Sequence, residues 1–550
     1  MIVNKSMYPL QTGFSVLSKM QTQMGKLQVQ LGTGEKSSTL AGMGRDLPMS
    51  LSVRSRLDKI EGYSANIETV NLRLSFLDKT MSRFDKMEGE ARNAAVQGQY
   101  GTGGINMATL PSLSAARFDE IVTMLNEDVA GRYLFGGNVT DRAPLPDTET
   151  LLNGAAGKDG FLAVSSRRAT ADGVNDEVTA TDLPGRLQWA PATPAGQVNL
   201  VEDGGTAHPF GFKFSTASTT SANVTVEVQP RGAPTPETPG SLSIGFAATP
   251  KPGDSISIGL TLPDGTETQV KLTATAESPA PAGSFTIGQT AEESAASFKE
   301  ALGKSLTLSA KTELRAASTF AAATDFFDPA GKPQIPNSGT KPTELVNGSA
   351  SVVQWYRGGI TPDGDNPRAS VSAAVDDASR VNYGMQANES GFLRLIRSQA
   401  ALAVSQYNSE TTVRSGFEDQ RLAAMSEPEG AARDVALANY EAEVAAAYRL
   451  ETGFFDGMAK RQQAELSEAH NTESGSIEVI TMEIGVALNT LQNATKRHTD
   501  YKAQLTNILS DVETVSTEDI AMQILALQTR LQASYQTTAM VSQLSLVKFL

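Results

Sequence analysis

The sequence predicts a mixed α+β protein: a long helical-bundle rod made from both chain ends, with a β-rich insertion in the middle. Three observations lead there. Apolar residues recur at helical spacing near both ends of the 550-residue chain, and heptads run through the helices next inward. Between them the composition shifts to Gly, Pro, Ser, Thr and alternating β-formers.

At the N-terminal end, Phe14, Leu17, Met20, Met24, Leu27 and Leu31 fall three and four apart, the stripe of an amphipathic helix. Gly32-Thr-Gly34 and Gly42-Met-Gly44 break it, so residues 1–50 read as an assembly helix and a Gly-rich break. Next comes a heptad with Val53, Ile60, Ile67, Leu74 and Met81 at a and Tyr63, Val70, Leu77 and Phe84 at d; Arg56 alone breaks the d row. A shorter helix turns Leu113, Phe118, Val122, Leu125 and Val129 inward and leads to Gly131-Arg-Tyr-Leu-Phe-Gly-Gly137, read as a glycine-bounded hairpin. Residues 51–140 are therefore expected to form rod helices and a hairpin.

The C-terminal end mirrors this. Ile477, Ile484, Leu491, His498, Leu505 and Val512 take a, while Ile480, Ala487, Ala494, Tyr501, Ile508 and Val515 take d. At 1.5 Å per residue that helix would be roughly 58 Å long, which predicts packing against its counterpart. Residues 476–515 read as the C-terminal rod helix and 516–550 as a C-terminal assembly helix. Ser516 or Thr517 is placed to cap the restart, with Glu518 and Asp519 in its first turn. Beyond Asp519 only Arg530 and Lys548 carry charge. A helix without a charged outer face expects a partner.

The β-rich surface insertion is assigned to residues 141–345, with strand-like runs at 209–214, 224–228, 255–262 and 270–273, a tight turn at Leu262-Pro-Asp-Gly265 and one helix at about 291–302. Residues 346–475 read as a return segment and Ala-rich helices, broken near Ser426-Glu-Pro-Glu-Gly430. There is no convincing internal repeat.

With 46 Lys+Arg against 61 Asp+Glu the net charge is −15, which argues against nucleic acid as a partner. The absence of Cys removes disulfides, thiolate zinc sites and cysteine nucleophiles. Only His208, His470 and His498 are present, and their spacing assembles no metal triad. His498, at an a position, reads as a polar residue that sets register. Gly32-Thr-Gly-Glu-Lys-Ser37 and Gly154-Ala-Ala-Gly-Lys158 fail the spacing of a phosphate-binding loop, and Asp363-Gly-Asp-Asn366 reads as a turn because Pro367 stands where a calcium ligand belongs. No catalytic, cofactor or metal site is expected, and the chain is read as a non-enzyme. No run approaches the length of a membrane span. The first ten residues lack the apolar core and small-residue cleavage site of a secretory signal.

What remains is architectural. Phe14, Leu17, Met24, Leu27, Ile520, Ile524, Leu527, Leu531, Leu544 and Phe549 are expected to form an assembly interface, and Ile60, Ile67, Leu74, Leu77, Ile477, Ile484, Leu491, Leu505 and Ile508 a rod core. Burying six such side chains is worth roughly 9–18 kcal/mol before ordering costs. Head-to-tail stacking of identical subunits would bury the interface and build a ring or tube. The competing reading packs both ends into one intramolecular bundle.

Both ends resemble the flagellin superfamily. Gly131-Arg-Tyr-Leu-Phe-Gly-Gly137 is similar to the Tyr-x-Phe-Gly-Gly segment of its hook-associated protein 3 branch, which joins hook to filament. Val381-Asn-Tyr-Gly-Met-Gln-Ala-Asn-Glu389, Gly391-Phe-Leu393 and the ending Leu531-Gln-Ala-Ser-Tyr535 to Leu550 resemble the same branch. The likeness covers roughly residues 1–140 and 350–550 and leaves the insertion without a counterpart. Glu35 to Arg45 lacks the acidic Ala-Gly-Leu-Ala sequence of filament flagellins, the alternative within the superfamily. The resemblance implies a secreted structural subunit at the hook–filament junction. Its implied partners are itself, a neighbouring hook-associated protein, flagellin and a flagellar export chaperone. It further implies terminal helices that order on assembly, with the insertion facing solvent.

Overall fold

The computed structural model describes residues 8–100, 107–192, 196–203, 208–232, 238–362 and 364–547. The chain divides into two units: one takes residues 8–72, 373–381 and 487–547, the other 73–372 and 382–486 among those described. Long helices occupy both ends and β-sheets the middle, as the α+β reading expects.

The first unit begins with α1 (Tyr8–Thr33), a 3₁₀ stretch Leu40–Asp46 and the start of α2 (Leu47–Arg92). Gly44, at φ 56°, makes the bend into α2, a conformation costly for any residue with a Cβ. In the second unit α2 continues, followed by α3 (Leu110–Leu125) and a minimal hairpin of β1 (Asp128–Val129) and β2 (Arg132–Tyr133). The hairpin turn is Ala130-Gly131, both at positive φ, so the hairpin spans 128–133 and takes in only the first three residues of the expected 131–137 segment. Leu134 and Phe135 instead run into the core, and Gly136 bridges Gln386.

Helices interrupt the expected insertion more than its composition suggests. α4 (Thr148–Asn153), the hairpin β3 (Gly154–Ala155) and β4 (Lys158–Asp159), and α5 (Phe161–Ala171) precede the main strands. These are β5 (Asp182–Leu183), β6 (Leu187–Ala190), β7 (Gln197–Glu202), β8 (Lys213–Thr219), β9 (Val224–Gln229), β10 (Ser241–Phe246), β11 (Ser255–Thr261), β12 (Glu267–Thr275) and β13 (Ser284–Thr286). They form an antiparallel sheet of order β5-β6-β7-β10-β9 and a second of order β13-β12-β11-β8, in which β12 and β13 run parallel. Strict alternation, as in Ser-Leu-Ser-Ile-Gly-Phe of β10, turns Leu242, Ile244 and Phe246 inward. Both sheets share one core with α6 (Ala291–Ser309), through Leu200, Ile258, Leu272, Phe285, Phe298 and Leu302. The Leu262–Gly265 turn forms as expected, closed by Gly265 N–H to Leu262 C=O at 2.9 Å.

The helix expected at 291–302 runs further. A π-turn at Ala310–Leu314 passes it into α7 (Arg315–Phe326), whose small residues are buried on all sides. Packing of the π-turn against the helix Ala431–Glu465 is tight: a Cβ on Gly453 would stand 2.7 Å from Thr312 Cγ2. Short pairs β14 (Gln334–Pro336) with β15 (Leu345–Asn347), and β16 (Ser372–Ala374) with β17 (Arg380–Asn382), lead back to helices. These are α8 (Ser390–Ala403), α9 (Glu410–Gly416), α10 (Glu418–Ser426), α11 (Ala431–Glu465), α12 (Ile477–Glu513) and α13 (Thr517–Val547). The breaks expected near 426–430 and at 516 are both present.

Candidate assembly surface

In the first unit α1 and α13 pack antiparallel. Val515 N–H donates to Gly34 C=O at 3.0 Å at one end, and Gln21 Nε2 donates to Tyr535 Oη at 2.7 Å further along. Leu17, Leu27, Ile520, Leu527 and Leu531 are buried between them, with Met20, Met24, Val515 and Ile524 packed at the margin. Most of the expected assembly residues thus satisfy one another within the chain, the arrangement of the competing intramolecular reading. Phe14 does not: it lies about 100° around α1 from the seam and is 62% exposed. The side chain of Leu544 and all of Phe549 lie outside the described residues.

The opposite face of α13 also stays uncovered, as do Val29 on α1 and Leu72 on α2. Met522, Leu525 and Met540 are 62%, 63% and 58% exposed, roughly 140–200° around the helix from Ile520, Leu527 and Leu531. Arg530 is the one charge between Asp519 and the end of α13. The acidic Glu518 and Asp519 sit in the first turn, where the helix dipole favours them, and Ser516 Oγ accepts from Asp519 N–H at 3.2 Å. By contrast α1 carries Lys19 and Lys26 and no acid. The uncharged tail leads to a partner for one face; periodicity does not separate that seam from the exposed Met522, Leu525 and Met540, which share the opposite face with Thr529, Gln532 and Gln536.

The breaks in the two helical ends meet. Lys36 N–H donates to Glu513 C=O at 2.7 Å, and Glu35 bridges Thr514, so the linkers form a short antiparallel joint. Beside it Arg54 grips Glu513 through two bonds of 2.8 and 2.7 Å while Ser50 donates at 2.5 Å. The hydrogen bonds and charge of Arg54 hold the Glu513 carboxyl below its ordinary pKa.

Below the joint α2 and α12 run antiparallel around Val53, Ile60 and Leu505. Ile67 and Leu491 are buried in the same unit, whereas Leu74, Leu77, Ile477 and Ile484 are buried in the second. Ile508 departs from the expected rod core: it is 37% exposed, and Leu509 packs in its place. Leu57 likewise replaces Arg56. A straight helix drifts by about 20° per heptad, which carries Ile508, a late d position of α12, out of the seam and Leu509 in.

A segment from far along the chain clasps this pair. Val375, fully buried, accepts from His498 Nε2 at 2.8 Å, and the His498 ring stacks on Tyr63 with centroids 5.7 Å apart. Asp376 pairs with Arg497 at 3.1 Å. Asp377 pairs with Lys59 and accepts from Tyr63 Oη at 2.7 Å. Lys59 and Tyr63 hold the Asp377 carboxyl below its usual range, and the same hydrogen bond raises the Tyr63 phenol. Nothing in the local sequence of 375–377 marked this clasp; the polar residue at an a position was its one signal.

The second unit holds buried charges in structural pairs. Arg368 binds Glu389 and Glu483 and donates to Ser474 C=O at 2.8 Å. Burial pushes the Glu389 carboxyl up to about 7. Arg461 binds Asp264 at 2.5 Å and Glu313 at 3.0 Å. His208 is buried against Asp203 at 2.8 Å, and His470 meets Glu473 at 2.7 Å. Among the described residues no group of three or more His, Asp or Glu could hold a metal ion, and no helix is long and apolar enough to cross a membrane. Neither the family models nor the curated proteins compared with this chain give a match.

Proposed function

We propose that the chain is a structural subunit of the bacterial flagellum, secreted and placed where hook meets filament, that self-assembles through its terminal helices. The observation that carries this reading is the uncovered face of α13: Met522, Leu525 and Met540 stand exposed on a nearly uncharged helix whose other face is already filled by α1. A monomer gains nothing from such a face, whereas stacking copies would bury it. In this reading α1 and α13 form the assembling end and the paired α2 and α12 a surrounding rod. The sheets face solvent, and a neighbouring hook-associated protein and flagellin are the contacts on either side. An export chaperone holds the terminal helices before assembly. The role needs no cofactor, no catalysis and no nucleic acid. The resemblance of 131–137 and 381–393 to junction proteins supports the junction over the alternative, a flagellin forming the filament itself.

Immunogold microscopy with antibodies against residues 182–286 tests it on cells with intact and sheared flagella. A single band of label at the hook–filament boundary is expected. Label along the whole filament would make the chain a flagellin, and label confined to the cell interior would reject a flagellar role.

A further inference from the structure

The second unit carries an open pocket of about 620 Å³ on the outer side of α6, remote in sequence from the terminal helices. Val178, Trp189, Ala296 and Gly303 are its apolar lining residues, and Thr179, Lys299, Glu300, Lys304 and Thr307 are the polar ones. Gly303 faces Val178 and Trp189 closely: a Cβ there would lie 3.5 Å from Val178 and 3.9 Å from Trp189, so a branched side chain would intrude between them. The Lys299 ammonium sits 4.6 Å from the centre of the Trp189 ring. Among the described residues it has no carboxylate at ion-pair distance, whereas Lys304 is paired with Glu300 at 2.7 Å. The pocket thus offers apolar surface beside a lysine, Lys299, that rests on the Trp189 ring with no carboxylate among the described residues paired to it. In a chain of net charge −15 that local sign is opposite to the whole.

We infer that this pocket binds a small amphipathic carboxylate, with its apolar body against Val178, Trp189 and Gly303 and its carboxylate on Lys299. Trp189 supplies a broad apolar surface, and the methylene stems of Lys299 and Lys304 extend it. The ammonium exchanges its contact with the ring face for an ion pair, a charge-assisted bond at a partly desolvated site. A neutral body of equal size would gain the burial without the ion pair. A hydrophilic acid would gain the ion pair without the burial.

The two tryptophans separate the readout, because Trp355 is fully buried and Trp189 only half-buried at the pocket. Full-length protein is titrated with octanoate, octanol and glucuronate, following Trp emission and calorimetric heat. Octanoate is expected to bind with a blue shift, octanol and glucuronate each at least tenfold more weakly. Lys299→Met is expected to lower octanoate affinity about tenfold, and Gly303→Val, which leaves Trp189 in place, to abolish it. Far-UV dichroism checks that both variants fold. Equal binding of octanol would overturn the role of Lys299. Preferred binding of glucuronate would overturn the amphipathic class. Octanoate heat unchanged in Gly303→Val, or none at millimolar concentration, would overturn the site.

Discussion

His498 Nε2 donates to the carbonyl of Val375, 2.8 Å away, across 123 positions of sequence. One partner is a heptad residue on α12; the other belongs to a loop with no periodicity. The bond explains why a polar side chain is tolerated in an otherwise apolar seam: its donor is satisfied in place.

His498→Leu therefore restores the heptad on paper and should destabilise the protein. It leaves the buried Val375 carbonyl unpaired, at a cost of about 1–3 kcal/mol. Urea unfolding of the variant is expected to show a lower midpoint. A midpoint equal to or above wild type would mean the clasp contributes nothing.

The two faces of α13 are separable. Ile524→Asp with Leu527→Asp places carboxylates in the seam with α1, where an unpaired charge costs several kcal/mol. Hydrogen exchange should then lose protection over Tyr8–Thr33 and Thr517–Val547 and keep it in the sheets.

Met522→Asp with Leu525→Asp alters only the outer face. Melting should move by less than about 1 kcal/mol, since exposed substitutions away from a seam change little. Sedimentation of self-assembled material and incorporation into flagella should fall more than tenfold. Normal assembly in this variant would remove the observation on which the proposed function stands.

Arg461 ties the β11–β12 turn to α11 through Asp264 and to the π-turn through Glu313. Removing it with Arg461→Ala leaves two carboxylates without their cation and is expected to cost about 3–5 kcal/mol in chemical denaturation. Arg461→Lys should recover part of this, because the charge returns without the fork.

Glu389 imposes a pH dependence of opposite sign to a surface ion pair. Its folded carboxyl titrates at about 7, above the ordinary 4.5, because burial disfavours its charge. The folded state therefore holds more protons than the unfolded state across that window. The stability it contributes is fully present below pH 4.5 and is lost as pH rises through 7, by at most about 3 kcal/mol. Unfolding midpoints compared at pH 5 and pH 8 should drop less in Glu389→Gln than in wild type. An identical drop would assign the dependence to other groups.

The terminal helices were legible because burial on one face writes a period into the sequence, and Ile60, Ile67, Leu491 and Leu505 sit where that period put them. Its late drift, which exposes Ile508, was not legible: it depends on how far the helix supercoils. The run Ala316–Ala323 carries no period, because small residues buried on every side leave no polar face to contrast with. The clasp at 375–377 involves three residues and partners on α2 and α12, so nothing local encodes it. Of the outer face of α13, the missing charge was readable, but not the division between a seam already filled and one still open.

The joining of the ends has a consequence for the order of events during synthesis. Leu17 and Ile524 are 524 − 17 = 507 residues apart, so at about 5–20 residues per second the apolar stripe of α1 waits roughly 25–100 s for its partner. Asp377 emerges 498 − 377 = 121 residues before His498, so Lys59 and Tyr63 can meet the clasp while α12 is still unmade. Every copy thus passes through a nascent stage with its first helix unpaired, and any protein that recognises that stripe has this interval in which to reach it.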